Sequence, residues 1–93
     1  MNIGQAIKEY RKKKGISQKK LAEMSGLSHT ALCRIENDQA FPTKKHITKI
    51  CDALGITRTY LLFTSLTDED IPEKNLPIFK ALKEPIIKVL ENE

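Results

Sequence analysis

Tryptophan is absent from this 93-residue chain, and Phe41, Phe63, Phe79, Tyr10 and Tyr60 are its whole aromatic complement. A core made from such a sequence has to be mainly aliphatic. Two cysteines, Cys33 and Cys51, are too few for a disulfide framework and fit reduced thiols in a reducing compartment. No apolar run approaches the roughly 20 residues that cross a bilayer, and no signal-peptide core is present, so the expectation is a cytoplasmic protein with no membrane contact. Also missing are a phosphate-cradling glycine loop and any nucleophile–base–orienter set, which argues against an enzyme and implies no cofactor. Strand-like alternation of useful length does not occur either. The expected fold class is all-α.

What is present is a charge asymmetry beneath the net charge of +4. Residues 1–64 hold 12 Lys/Arg against 5 Asp/Glu, or +7, while residues 65–93 hold 4 against 7, or −3. A basic body with an acidic tail suits a polyanion-binding domain followed by a segment with another task. The expected division is therefore a polyanion-binding domain over 1–64 and, over 65–93, an acidic linker plus an amphipathic helix.

Four times the chain repeats an apolar residue or proline, a Ser or Thr, three residues and another apolar residue: Ile16-Ser17…Leu21, Leu27-Ser28…Leu32, Pro42-Thr43…Ile47 and Ile56-Thr57…Leu61. Each reads as a helix start, with the hydroxyl accepting from an orphan backbone N–H and the preceding residue acting as a hydrophobic staple. With the 3, 4, 3 spacing of Ile3, Ala6, Ile7 and Tyr10, this predicts helices over 3–14, 18–25, 29–37, 44–54 and 58–64. From Pro77 onward, Phe79, Leu82, Ile86, Val89 and Leu90 form an apolar stripe that Ile78 widens, on a helix too short to stand alone. Pro85 lies inside it and is expected to kink or split it. These five stripe residues are candidates for dimerisation.

Residues 18–37 describe two short helices joined by a tight turn: small Ala22, Gly26 as the left-handed stop, Ser28 as the next cap, and Leu32 and Ile35 as anchors. That is the helix-turn-helix layout, in which the second helix is offered to the DNA major groove. On a wheel of roughly 100° per residue, His29, Thr30, Cys33 and Arg34 share one arc, opposite Ala31, Leu32 and Ile35. Their chemistry suits base reading: Arg34 can donate twice to guanine, Thr30 offers a hydroxyl and a methyl, and His29 can donate or accept. Ser17, Gln18 and Lys19 at one helix start, with Asn37, Thr43, Lys44 and Lys45 across the groove, are the candidate phosphate contacts. His29 and Cys33 at i, i+4 could form a metal edge, but His46 and Cys51 supply no second pair, so no metal is expected.

Ile3-Gly4-Gln5-x-Ile7-x-x-Tyr10-Arg11-x-x-x-Gly15-x-Ser17-Gln18-x-x-Leu21-Ala22, followed by Ile35-Glu36-Asn37, Leu54-Gly55-Ile56 and Leu61-Leu62, resembles the lambda-repressor-like Cro/cI family, also called the XRE family. The resemblance covers residues 1–64 and implies a five-helix DNA-binding domain, here with a C-terminal helical extension. It further implies that Gln18 binds phosphate and braces His29, and that Arg11 pairs with Glu36 as a structural link. Asp38 stands where many members carry glycine, which argues against close phosphate approach there. The opening segment and helical tail are similar to biofilm and sporulation regulators whose C-terminal helices dimerise. The expected function is a sequence-specific regulator of repressor type, a homodimer on an inverted-repeat operator of double-stranded DNA. The alternative is an antitoxin or partner-regulated protein whose tail binds another protein and whose DNA binding is autoregulatory.

Overall fold

The computed structural model describes residues 1–91. Its helices are α1 (Ile3–Lys13), α2 (Gln18–Met24), α3 (His29–Glu36), α4 (Lys44–Leu54), α5 (Arg58–Thr64) and α6 (Leu76–Leu90), with 3-10 turns at Asp68–Asp70 and Glu73–Asn75. No strand occurs among the described residues. The first three helices end one residue earlier than the sequence pattern suggests, because Lys14, Ser25 and Asn37 act as C-caps.

All four hydroxyl caps form. Ser17, Ser28 and Thr57 accept from the amides of Lys20, Ala31 and Tyr60 at 3.0 Å, and Thr43 accepts from that of His46 at 3.1 Å. Each such cap stabilises its helix by about 1 kcal/mol. Between α2 and α3 the chain reverses at Gly26, whose φ of +68° would strain any residue with a Cβ. The Leu27 amide donates to the Ala22 carbonyl at 2.9 Å and the Gly26 amide to that of Glu23 at 3.3 Å. This Schellman closure satisfies the end of α2 and delivers Ser28 to its capping position.

The core is aliphatic, as the scarcity of aromatics requires. Ile7, Leu21, Leu32, Ile50, Leu54 and Leu61 are fully buried, and each contributes about 1.5–3 kcal/mol. Tyr60 is the one aromatic among the buried residues described, its ring edge-on to that of Tyr10 at 5.5 Å between centroids. The start of α1 lies so close to the end of α3 that a Cβ on Gly4 would stand 2.1 Å from the Ile35 carbonyl oxygen. Only glycine fits there.

The tail folds back. The Asn2 amide donates to the Ser65 carbonyl at 2.7 Å, the terminal ammonium pairs with Asp70, and Thr67 and Asp70 cap each other reciprocally. Residues 65–70 thus form a capped turn against the N-terminus, and a second 3-10 turn at Glu73–Asn75 leads into α6. α6 then lies along α5, with the Phe63 and Phe79 rings 6.3 Å apart and Ile87 and Leu90 against the core. Pro85 does not divide α6, which runs continuously to Leu90. Ala81 and Pro85 are both exposed, so the carbonyl that lacks a proline N–H partner sits at a residue open to water.

Candidate nucleic-acid interface

The site starts beneath the surface, at a buried ion pair. Arg11 on α1 donates through Nε to Glu36 Oε2 at 2.8 Å and through Nη2 to Oε1 at 3.0 Å, while its Nη1 donates to the Ile16 carbonyl at 2.9 Å. Glu36, at the end of α3, is only 2 % exposed. A two-pronged guanidinium–carboxylate contact fixes orientation as well as charge, so it sets how α3 leaves the body of the domain. Gln18, the first residue of α2, adds a third anchor. Its Nε2 donates to Glu36 Oε1 at 3.0 Å, and its Oε1 meets His29 Nε2 at 2.9 Å. Three helices are tied together directly under the outward face of α3.

That face carries His29, Thr30 and Arg34 exposed and Cys33 half-buried, while Leu32 and Ile35 are buried beneath it. With Gln18, the four outward residues line one shallow recess of about 270 Å³. Asn37 lies at its far end, its amide 3.5 Å from Cys33 Sγ, a weak contact. Other exposed polar and basic groups stand at two helix starts: Ser17 and Lys19 at α2, and Thr43, Lys44 and Lys45 at α4. Ser17 and Thr43 use an oxygen lone pair in their caps, which leaves the hydroxyl hydrogen free to donate. Among the described residues no group of three or more His, Cys, Asp or Glu is placed to hold a metal ion.

Asp38 is a residue whose role the sequence pattern did not expose. It has a φ of 58°, a left-handed conformation that aspartate tolerates, and its carboxylate accepts from the Gly4 amide at 3.2 Å. It caps the start of α1 from the loop after α3. The signal was present in its position, directly after Glu-Asn where glycine would supply the same backbone.

A helix-turn-helix family model matches residues 7–61, more than half of the chain. The chain belongs to this family. Within it the protein is a Cro/cI (XRE)-type member, with the all-helical fold of lambda-repressor-like DNA-binding domains. The transcriptional regulator PuuR of Escherichia coli (strain K12) is 35% identical over 54 residues, 58% of this chain and 29% of PuuR. The chain thus spans under a third of that relative's length. Among solved structures, the biofilm master regulator SinR in complex with DNA matches with a TM-score of 0.61 and 38% identity, covering 64% of this chain and 97% of that one. A chain of the SinR/SinI protein complex matches with a TM-score of 0.65 and 27% identity, covering 97% of this chain, α6 included, and 84% of that one. The XRE-type relatives are transcriptional regulators and not enzymes, in keeping with the sequence.

The five tail candidates fall on two sides of α6. Phe79 is half-buried against Phe63, and Leu90 packs on the core. Leu82, Ile86 and Val89 are exposed, in line with Ile78, and Val89 has 81% of its surface in solvent.

Proposed function

We propose that this protein is a sequence-specific transcriptional regulator of repressor type that binds an inverted-repeat operator as a homodimer. α3 enters the major groove, where Arg34, Thr30, His29 and Cys33 meet base edges. Ser17, Gln18, Lys19, Asn37, Thr43, Lys44 and Lys45 hold the phosphates on either side and fix the register. The observation that carries this reading is the recess lined by Gln18, His29, Thr30, Cys33 and Arg34, with Glu36 of the buried Arg11–Glu36 pair bonded to Gln18. A polar, outward surface on a rigid support is what directional base reading needs. The acidic segment 65–93 holds charge away from the DNA, and the outer face of α6 (Ile78, Leu82, Ile86, Val89) pairs with its copy in the second subunit.

Selection of binding sites from random DNA, repeated with two variants, tests the assignment. Arg34→Ala should relax preference at one base pair and cost about 1–3 kcal/mol. Lys44→Ala should weaken all sequences alike and lower the salt slope by about one. Equal effects of the two changes contradict these roles. The half-sites recovered should be separated by about 10 base pairs or a multiple.

The exposed apolar face of α6 also supports a second reading, in which it takes a different protein and DNA binding serves autoregulation. The SinR/SinI complex is a precedent for protein partnership in this fold. Light scattering on the purified chain separates the two: a dimer favours the first reading, and a monomer that gains mass only with a co-expressed neighbour favours the second.

A further inference from the structure

Gln18 sits between two groups with unequal freedom. On its inner side is the Glu36 carboxylate, already held by Arg11 and able only to accept. The Gln18 amide therefore has to turn its nitrogen inward, as it does at 3.0 Å, and its oxygen outward toward His29. The opposite orientation would set carbonyl oxygen against carboxylate oxygen. An amide oxygen accepts only, so His29 Nε2, 2.9 Å away, must carry the hydrogen. In a neutral imidazole one nitrogen donates and the other accepts. His29 Nδ1 is thereby left as an acceptor.

We propose that Glu36, though buried, sets the hydrogen-bond polarity of His29 through Gln18, so that neutral His29 meets DNA as an acceptor and selects an amino base, adenine or cytosine, on the strand it contacts. In the major groove adenine N6 and cytosine N4 are donors, while guanine O6 and N7 and thymine O4 accept. An acceptor on the protein thus separates amino from keto bases at that position. The second hydrogen of the Gln18 amide is what remains for a phosphate; toward the bases Gln18 and Glu36 are positioning residues, and His29 is the reading residue. The inference rests on the DNA-binding function proposed above and adds a base class to one contact.

Two experiments test it on the full chain at pH 8. Nitrogen-15 NMR of the free protein reads the His29 tautomer without any DNA. The Nε2–H form alone is expected in the wild type and a mixture of tautomers in Gln18→Ala; an Nδ1–H form in the wild type overturns the relay. Site selection then reads the consequence. His29→Ala, at an exposed position, identifies which base pair His29 reads by abolishing preference there alone. In the wild type that position should favour adenine or cytosine over guanine or thymine by about tenfold, and Gln18→Ala should reduce this to about twofold, leaving the Arg34 position unchanged. Guanine or thymine at the His29 position, or a preference untouched by Gln18→Ala, overturns the polarity argument while DNA binding stands. A wild type that selects no sequence overturns the function itself.

Discussion

α3 and α6 are both surface helices seated by one face, yet they turn opposite chemistry outward. α3 is held by fully buried Leu32, by Ile35 and by a buried carboxylate, and it presents His29, Thr30 and Arg34 to solvent. α6 has no buried residue at all; it rests on half-buried Phe79, Ile87 and Leu90 and presents Ile78, Leu82, Ile86 and Val89. A polar face on a rigid seat serves contacts that depend on direction, such as hydrogen bonds to base edges. An apolar face on a lighter seat serves association, where the gain follows area and not angle. On the function proposed above, reading and assembly would be separated by how deeply each helix is anchored.

The largest expected effect comes from removing the anchor of α3. Glu36→Ala leaves the Arg11 guanidinium, 8 % exposed, without its counter-charge. Breaking a buried pair from one side costs about 3–5 kcal/mol, a large part of the 5–15 kcal/mol of a typical domain. Urea unfolding should register that loss, whereas Glu84→Ala on α6, at an exposed position, should shift stability by under about 0.5 kcal/mol. Similar values for the two would erase the difference in anchoring.

Alkali probes the core that both helices share. Burial pushes the Cys51 thiol from 9.0 up to about 11, with the Asp52 carboxylate adding to the rise and Arg58 opposing it. Between those two values the unfolded chain has lost the thiol proton while the native state keeps it, so stability is full below pH 9 and falls as pH rises to 11. The loss should be about 2–3 kcal/mol, and Cys51→Ala should abolish that portion. Tyr60 extends the decline to higher pH, because burial, then Tyr10, then Glu91 and Glu84 raise its phenol. Only this second part involves carboxylates of the tail, so neutralising Glu84 should move it and leave the Cys51 part in place.

Gly4 probes the seat of α3 by geometry instead of charge. In Gly4→Ala the new Cβ would meet the Ile35 carbonyl oxygen at 2.1 Å and the Asp38 carboxylate at 2.6 Å. Backbone cannot yield as a side-chain tip can, so α1 and the end of α3 must separate, at a cost of about 1–3 kcal/mol. Thermal melting checks the cost. An unchanged melting temperature would mean that the two helix ends are not held this closely.

Most of the α1–α5 unit was legible because its signals are local. Each Ser or Thr cap, the Gly26 turn and the outward arc of α3 depend on residues within a few positions of one another. The Arg11–Glu36 pair spans 25 residues, and only resemblance to the Cro/cI family pointed to it. The need for glycine at position 4 stayed hidden, since it arises from an approach between α1 and a carbonyl on α3 that no local pattern encodes. α6 was legible as a helix but not as a two-sided one. With Leu76, Ile78, Phe79, Leu82, Ile86, Ile87, Val89 and Leu90 in 15 residues, apolar groups surround most of its circumference. Periodicity then cannot say which of them face inward; the packing on α5 decides it.

That division makes the smallest effect on folding the sharpest test of the comparison. Shortening the chain at residue 64 would remove α6 and also uncover the surface that Phe79, Ile87 and Leu90 now cover, confounding assembly with stability. Leu82→Glu with Ile86→Glu avoids this, because those side chains are 49% and 36% exposed and are not among the residues of α6 packed on the core, which are Ile87 and Leu90. Folding stability should change by under about 0.5 kcal/mol. The proposed dimer should nonetheless be lost, since carboxylates at the centre of such an apolar interface would face an uncompensated desolvation cost. Light scattering should report a monomer, and affinity for a two-half-site operator should fall by about 10²–10⁴-fold while a single half-site is bound as before. A dimer that survives both substitutions would mean that the outer face of α6 is not the assembly surface. The contrast with α3 would then reduce to a difference in burial without a division of labour.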